Sequence, residues 1–274
     1  MEKVRRNERL SAMMKILSDS PNHIFTLSTF CDMFGSAKST TSEDIDILRI
    51  VVKEFGLGEI ETVTGAAGGV MFRARVEKNT AREYIQGLCD QLSGTARVLP
   101  GGFLYYSDIL SHPVITRKMG EILATEYYDT EPDFVLTMET KGIPVALTTA
   151  NALGVPLVIA RHSSKVYEGS AVNINYVSGS SGSIQTMSLA RRAVQEGQHC
   201  LIVDDFLKGG GTAKGMVDLM HEFGVEVVGT AFVMATTQPQ RKRIAGEKSL
   251  MLLDVTTNAD DTQTAIVRPA AWLK

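Results

Sequence analysis

VDDFLKGGGT, at residues 203–212, is the stretch of sequence that decides the fold of this chain. The aliphatic run that ends at Val203 predicts a buried parallel strand. That strand delivers two adjacent carboxylates to a loop of three consecutive glycines, which closes at Thr212. A helical pattern follows, with a glycine where a helix C-cap belongs; its apolar face and cap are Met216, Leu219, Met220, Phe223 and Gly224.

A strand, an acidic pair, a glycine loop and a helix N-terminus together suit a sugar phosphate. Glycine amides and the positive end of a helix dipole bind phosphate, and two carboxylates accept hydrogen bonds from vicinal hydroxyls. The spacing of the glycines excludes both the G-x-G-x-x-G dinucleotide fingerprint and the Walker loop. A solvated strand-to-helix turn explains each residue pair alone, but not the whole order.

A second loop, METKGIP at 138–144, also leaves a predicted strand and enters a helix. Its amides and one ammonium suit the pyrophosphate group of the same ligand, so Thr140, Lys141 and Gly142 are candidate contacts. An ordinary turn with an exposed lysine is the alternative. Further candidates are Arg161, Lys165 and Ser178, for which solvated surface positions are equally compatible.

Length and composition indicate an ordinary globular protein with room for two domains. The chain has 274 residues, 44% of them hydrophobic and 22% charged, and a net charge of −3, which argues against a general nucleic-acid coat. Apolar runs are too short for a membrane span, and the N-terminus lacks the apolar segment of a signal peptide. Three scattered cysteines predict a reducing cytoplasm, and neither they nor the five histidines have metal-ligand spacing. We therefore expect a cytoplasmic protein without a metal site or membrane partner.

Residues 1–76 predict a small winged-helix domain. Three helical patterns are followed by two extended runs, 59–64 and 70–76, with a glycine-rich tip between them. Thr40 and Glu43 have the spacing of a capping box and predict the start of the third helix. The apolar positions of the three helices are Leu10, Met13, Met14 and Leu17, then Leu27, Phe30 and Phe34, then Ile45, Leu48, Val52 and Phe55.

Charge placement in this domain favours DNA binding. Backbone amides and polar side chains at the start of a recognition helix reach the major groove and its phosphates. The candidate DNA contacts are Arg5, Arg6, Arg9, Lys38, Ser39, Thr40 and Thr41. Asp44 and Asp46 on the same helix count against DNA if exposed, and a winged helix that contacts protein is the alternative.

Residues 77–274 predict a doubly wound α/β domain with a mainly parallel sheet. The strands are expected at 134–138, 156–160, 199–203, 225–234 and 250–255, with a helix at 142–153. Alternating residues between 163 and 188 predict a two-stranded flap over the carboxyl edge of the sheet.

The order of aliphatic strand, Asp-Asp, four residues and Gly-Gly-Thr resembles the loop that binds phosphoribosyl pyrophosphate (PRPP) in type I phosphoribosyltransferases. A winged helix fused to such a domain resembles the purine operon repressor (PurR) family of Gram-positive bacteria over almost the whole chain. The strings that carry this resemblance are SAKSTTSED at 36–44, TGAAGGV at 64–70, LPGG at 99–102, TKGIP at 140–144, NINYVSGSS at 173–181, IQTMSLA at 184–190 and DDFLKGGGT at 204–212.

The resemblance implies a homodimeric regulator, with repression as the expected output, that binds operator DNA of purine genes. PRPP would be the effector, accompanied by Mg²⁺ where needed but with no obligatory cofactor, and guanosine tetraphosphate would compete for the same pocket. Asp204 and Asp205 would hold the ribose hydroxyls, while Phe103 would stack near the ligand and Arg97 would serve the effector or the dimer. The loop around the 5′-phosphate would comprise Lys208, Gly209, Gly210, Gly211 and Thr212, and Phe206 before it is a further effector-binding candidate.

Two other functions fit the same sequence. One is an active xanthine or adenine phosphoribosyltransferase with an accessory N-terminal domain. Lys208 and Gly209 stand where such enzymes carry small residues or Thr, and Phe206 is bulky, which favours effector binding without catalytic residues. The other is a metabolite-binding module whose winged helix contacts protein.

Overall fold

The computed structural model describes residues 4–65, 68–163, 169–178 and 182–273. The chain divides into two compact units. The first comprises Met1–Glu77 with Asn151–Gly154, and the second comprises Lys78–Ala150 with Val155–Lys274. Among the described residues, no helix combines the length and the hydrophobicity that a membrane crossing requires.

The first unit is a winged helix, as the sequence predicts. Its two strands pair antiparallel, with Glu59 opposite Arg73, and Gly35 ends the second helix in the left-handed conformation at φ 61°. The elements are α1 (Arg6–Asp19), α2 (Leu27–Phe34), α3 (Lys38–Glu54), β1 (Glu59–Val63) and β2 (Gly69–Arg73).

The predicted apolar faces of these helices form the core of the unit, with two corrections. Phe55 is 69% exposed because α3 ends at Glu54 and Phe55 is its C-cap residue. The capping-box prediction is wrong, since α3 begins at Lys38 after Ala37, so Thr40 lies inside the first turn. The buried core includes Met13, Leu17, Phe30, Ile45, Leu48, Val52, Ile60, Val70 and Phe72.

The second unit alternates helices and strands around a six-stranded sheet. Its elements are α4 (Lys78–Leu92), β3 (Val98–Leu99), β4 (Phe103–Leu104), α5 (Ser107–Ser111), α6 (Pro113–Thr125), β5 (Phe134–Met138), α7 (Ile143–Leu153), β6 (Leu157–Ala160), β7 (Ala171–Val177), β8 (Ile184–Ala190), β9 (His199–Leu207), α8 (Gly211–Glu222), β10 (Glu226–Thr236), β11 (Lys248–Thr257) and β12 (Gln263–Pro269). The strand order in the sheet is β12-β11-β10-β9-β5-β6, and all neighbours pair parallel except β11 and β12.

The doubly wound α/β prediction is confirmed, and one boundary changes the description of the site. Strand β9 continues to Leu207, so the acidic pair lies within the strand and not on the loop beyond it. The flap is present as the antiparallel pair β7–β8, in which Val172 lies opposite Leu189. Its strand β7 packs on α8, where Gly215 faces the Tyr176 side chain.

The three cysteines are free thiols that differ in burial. Cys31 on α2 is half-buried, whereas Cys89 on α4 and Cys200 on β9 are fully buried. Burial raises the pKa of the Cys89 thiol to about 12 and also raises the pKa of Cys200 well above its ordinary value. The two buried thiols are therefore protonated at neutral pH and act as small apolar side chains.

Candidate functional site

The two predicted ligand loops follow neighbouring strands at the point where the order of the sheet reverses. Strand β5 is paired on one side with β6 and on the other with β9, which leads to β10. Leu136 of β5 lies opposite Ile202 of β9 in the parallel register, so the carboxyl ends of both strands open on one crevice. Crevices at such a switch point are where doubly wound sheets bind ligands.

Gly142, in the loop after β5, lies in direct contact with Asp204, near the end of β9. A Cβ atom on Gly142 would lie 2.0 Å from Asp204 Oδ1 and 2.6 Å from Thr137 Oγ1. A side chain cannot occupy that space, so glycine is required for the approach. Within the part of the chain that is described, the buried Thr137 hydroxyl has no hydrogen-bond partner, which leaves a polar atom beside the carboxylate.

The two carboxylates of the acidic pair have different environments. Asp204 is 7% exposed, and one of its oxygens accepts a hydrogen bond of 2.9 Å from the Asp205 backbone N–H. Burial, followed by the adjacent Asp205 charge, raises the pKa of Asp204 well above its ordinary value. Asp205 is half-buried and accepts a hydrogen bond of 2.7 Å from the Tyr106 hydroxyl.

The glycine loop after β9 encloses a small cavity of about 190 Å³. Gly210 is the N-cap residue of α8 and has a φ of 79°, a conformation that glycine adopts without strain. The first amides of α8 and the helix dipole thus lie at the cavity and suit an anion. Its lining includes the predicted Asp204, Phe206, Lys208, Gly209, Gly210, Gly211 and Thr212.

Sequence reasoning missed Lys242 and Arg243, which support this loop. The Lys242 Nζ donates to the Lys208 carbonyl at 2.6 Å and to the Thr236 carbonyl at 2.7 Å. The Arg243 backbone N–H donates to the Gly209 carbonyl at 3.1 Å. Burial lowers the pKa of Lys242. No motif marks this segment, because its role depends on a loop that lies more than thirty residues earlier in the chain.

The loop after β5 places the predicted Lys141 beside Tyr106. Thr140 and Lys141 are exposed, and the Lys141 Nζ lies 5.6 Å from the centroid of the Tyr106 ring. The peptide bond between Glu139 and Thr140 is cis. Tyr106 itself was not predicted, since an isolated tyrosine between a short strand and a short helix carries no sequence signal.

The remaining effector candidates lie in different surroundings. Arg161 pairs with Glu139, at 3.3 Å between Nη1 and Oε2. Ser178 is buried directly after β7, and its backbone N–H donates to the carbonyl of Ser183, directly before β8, at 2.9 Å. Phe103 is 65% exposed on β4, and Lys165 lies outside the described residues.

In the winged helix, five of the candidate DNA contacts are at least partly accessible at the starts of α1 and α3. Arg5, Lys38 and Ser39 are exposed, and Thr40 is half-buried. A groove of about 670 Å³ adjoins Lys38 between α3 and the wing strands. Arg6 is half-exposed and pairs with Glu43 and Asp44.

Arg9 and Thr41 are corrections to the predicted DNA surface. Arg9 is 5% exposed and its Nε lies 2.7 Å from Oδ2 of the fully buried Asp44. The Thr41 hydroxyl is fully buried and hydrogen-bonded to Ser36 Oγ at 2.8 Å. Both side chains therefore hold the domain together and do not face solvent. The pairing also removes the objection that Asp44 would face phosphate.

A residue that the sequence did not reveal, Arg49, joins α3 to the wing. Its Nε donates to the Ile60 carbonyl at 3.2 Å, and its Nη2 donates to Thr62 Oγ1 at 2.8 Å. Its Nη1 also pairs with Asp46 one turn earlier on α3. The second acidic side chain of α3 is therefore compensated within the domain.

Comparison with known protein families assigns both units. The model described as "Bacterial purine repressor, N-terminal" matches residues 5–74, and the phosphoribosyl transferase domain model matches residues 106–268. A probable purine biosynthesis transcriptional regulator PurR of Streptococcus pneumoniae is 43% identical over 265 residues, which are 96% of this chain and 95% of the relative. The chain belongs to the PurR family.

PurR relatives of this chain differ in output. The purine biosynthesis transcriptional repressor PurR of Bacillus subtilis is 41% identical over 96% of this chain and 92% of its own length. The purine biosynthesis transcriptional activator PurR of Lactococcus lactis is 40% identical over 92% of this chain and 93% of its own length. These relatives, which match over most of their length, are named as transcriptional regulators of purine biosynthesis.

The second unit also has the fold of known transferases. The crystal structure of adenine phosphoribosyltransferase from Rhodothermus marinus aligns with a TM-score of 0.53 and 26% identity, and covers 61% of this chain and 97% of that chain. The PurR chain thus combines a winged helix with a phosphoribosyltransferase fold.

Proposed function

We propose that this chain is a cytoplasmic, homodimeric DNA-binding regulator of purine biosynthesis genes, and that PRPP is its effector. The observation that carries the proposal is the contact between Gly142 and Asp204, which joins a pyrophosphate-type loop to an acidic pair above one crevice. The family's DNA-binding N-terminal unit stands in the same chain.

The chemistry of PRPP matches the crevice group by group. Two ribose hydroxyls are donors for the oxygens of Asp204 and Asp205, and the 5′-phosphate suits the amides at the start of α8. The pyrophosphate suits the amides and the ammonium of residues 140–142. The described residues contain no group of three or more side chains able to hold a metal. A Mg²⁺ ion that enters with the ligand would be coordinated by phosphate oxygens and water.

Guanosine tetraphosphate is the second ligand that we propose for this crevice. It also carries pyrophosphate groups, so it would use the same amides and the Lys141 ammonium. It would compete with PRPP because both ligands need the same donors. Direct competition between the two ligands, measured by calorimetry, tests this part of the proposal.

The operator would be read by the start of α3 with its exposed Lys38 and Ser39. Arg5 at the start of α1 adds a phosphate contact. A twofold dimer would place two such helices on an inverted repeat. Relatives of similar identity are named repressor and activator; for this chain we propose repression relieved by PRPP.

The experiment is a titration of purine-gene operator fragments with the wild-type protein, with and without PRPP and Mg²⁺. We expect weaker operator binding with PRPP, because a ligand that prefers one state of the protein shifts the population toward it. A change of Asp205→Ala should retain operator binding and lose the response, whereas Lys38→Met should weaken operator binding and retain PRPP binding. Equal operator affinity with and without PRPP would refute the effector role, and transfer of ribose 5-phosphate to a purine base would refute the regulator-only role.

A further inference from the structure

The Tyr106 side chain contacts the end of β9 at Asp205 and Phe206 and the loop after β5 at Lys141. It lies directly between β4 and α5 and is 7% exposed. Its backbone carbonyl accepts hydrogen bonds from the amides of Ile109 and Leu110, at 3.1 and 3.2 Å. The backbone of Tyr106 is thus fixed by the first turn of α5, which limits where its side chain can go.

The hydroxyl of Tyr106 holds one carboxylate of the acidic pair. It donates to Asp205 Oδ2 at 2.7 Å, which is the short length typical of a hydroxyl bound to an ionised carboxylate. Burial and then the Asp205 charge raise the pKa of the Tyr106 phenol, so the group remains a neutral donor at physiological pH. A carboxylate has about four acceptor positions, so this bond fixes its rotation and leaves positions for a sugar hydroxyl.

The ring of Tyr106 contacts the residues on either side of the crevice. Its centroid lies 6.1 Å from that of Phe206, with a tilt of 32°. The Lys141 Nζ lies 5.6 Å from the same ring, within the range of a cation–π interaction. A single side chain therefore bridges the end of β9 and the loop after β5.

The chain around Tyr106 is braced as a unit. Arg97 forms two hydrogen bonds to the Asp108 carboxylate, at 2.9 and 3.0 Å, and the Tyr105 N–H donates to the Arg97 carbonyl at 2.8 Å. These bonds close residues 97–108 around the β3–β4 hairpin. Movement of the Asp205 carboxylate therefore requires movement of this braced segment or loss of the Tyr106 bond.

We propose that Tyr106 is a positioning residue for ribose recognition, which orients the Asp205 carboxylate toward a sugar hydroxyl through its own hydroxyl group. This role rests on the proposed function of PRPP as the effector, and it concerns only the part of the site that would bind the ribose. Tyr106 acts on the sugar through Asp205 and leaves the phosphate contacts to the two loops.

The test is Tyr106→Phe, which removes the hydroxyl and keeps the ring against Phe206 and Lys141. We expect the dissociation constant for PRPP, measured by calorimetry with Mg²⁺, to rise roughly fivefold to twentyfold. The dissociation constant for inorganic pyrophosphate should stay the same, because that probe has no ribose. Tyr105→Phe is the matched control, since Tyr105 is exposed and should leave both constants unchanged.

The outcomes separate this inference from the proposed function. If the wild-type protein does not bind PRPP, the effector itself is wrong. If the wild type binds and Tyr106→Phe binds equally well, the positioning role is wrong and the effector stands. If the variant loses PRPP and pyrophosphate affinity by the same factor, the hydroxyl serves only general stability, and the proposal is overturned.

Discussion

At Gly142 the backbone of one ligand loop approaches the Asp204 carboxylate more closely than any side chain would allow. A Cβ atom there would meet Asp204 Oδ1 at 2.0 Å and Thr137 Oγ1 at 2.6 Å, both on buried side chains. We predict that Gly142→Ala destabilises the protein by about 1–3 kcal/mol through overpacking and weakens PRPP binding. Urea unfolding and calorimetry measure the two effects.

Gly87 provides the matched control for this substitution. It lies on the exposed face of α4, and a Cβ there has nothing within 4 Å. Gly87→Ala should stabilise the protein by about 0.5–1 kcal/mol, because alanine loses less backbone entropy in a helix. If Gly142→Ala stabilised the protein as Gly87→Ala does, Gly142 would not approach Asp204 as closely as the structure shows.

Asp204 gives a prediction about pH. Its raised pKa means that the folded state binds more protons than the unfolded state between the ordinary carboxyl pKa and the raised value. Stability from this group therefore falls as pH rises through that window. Asp204→Asn should remove this decrease in stability with pH and raise the melting temperature at neutral pH. The same variant should lose PRPP binding. The neighbouring Asp205, Tyr106 and Tyr176 stay unchanged in this variant, and thermal unfolding from pH 4 to pH 8 reports the difference.

The residues of the site were predictable only where a local pattern marks them. The acidic pair and the glycines of 204–212 form an ordered motif, so their chemistry can be inferred from spacing. Tyr106 and Lys242 contact partners 99 and 34 residues away in sequence, and Arg49 contacts the following strand. Their contacts exist only after the chain has folded, and no periodicity records them.

At the scale of elements, hydrophobic periodicity predicted which segments form helices and strands better than where they end. Strand β5 and helix α2 have the expected bounds because turn residues or glycine flank them. Helix α3 begins earlier than predicted, since its start at Lys38 has no side-chain cap. Strand β9 runs through the acidic pair because β10 continues to pair with it as far as Leu207.

The ion pair between α1 and α3 yields an element-scale prediction. Arg9→Met leaves the buried Asp44 with one ion-pair partner among the described residues, the half-exposed Arg6. Removal of one partner of a buried ion pair costs about 3–5 kcal/mol of stability. Because Arg6 still pairs with Asp44, we expect a loss near the lower end of this range. We expect Arg9→Met to lower the free energy of unfolding of the N-terminal unit and to leave the salt slope of operator binding unchanged.

Lys38→Met is the matched comparison on the same domain. Lys38 is exposed, and no ion pair involves it within the described ranges. Its removal should leave stability unchanged and lower the salt slope of operator binding by about 1. Reversal of the two phenotypes would show that Arg9, and not Lys38, faces DNA.

At the scale of the whole molecule, the pattern of predicted helices and strands changes near residue 76, where the winged-helix unit gives way to the α/β unit. Short helices with a glycine-tipped hairpin give way to alternating strands and helices. The sequence does not indicate helices α4, α5 and α6 or the antiparallel strand β12 by a comparable signal. Their positions follow from how they cover and extend the sheet.

Regulation at this scale has a thermodynamic constraint that can be measured. If PRPP lowers operator affinity by some factor, roughly 5–150-fold for ordinary coupling, operator DNA must lower PRPP affinity by the same factor. Calorimetry of PRPP with the free protein and with its operator complex measures the second factor. Unequal factors would contradict a simple two-state coupling between the ligands.

Because the three thiols differ in burial, their rates of alkylation report local opening in different parts of the protein. Under native conditions an alkylating reagent should modify Cys31 first, since Cys89 and Cys200 are fully enclosed and protonated. Bound PRPP should slow alkylation of Cys200, which shares strand β9 with the acidic pair, and leave the rate at Cys31 unchanged. Mass spectrometry of timed samples would then report local opening of the winged helix and of the phosphoribosyltransferase fold separately, in one unlabelled wild-type protein.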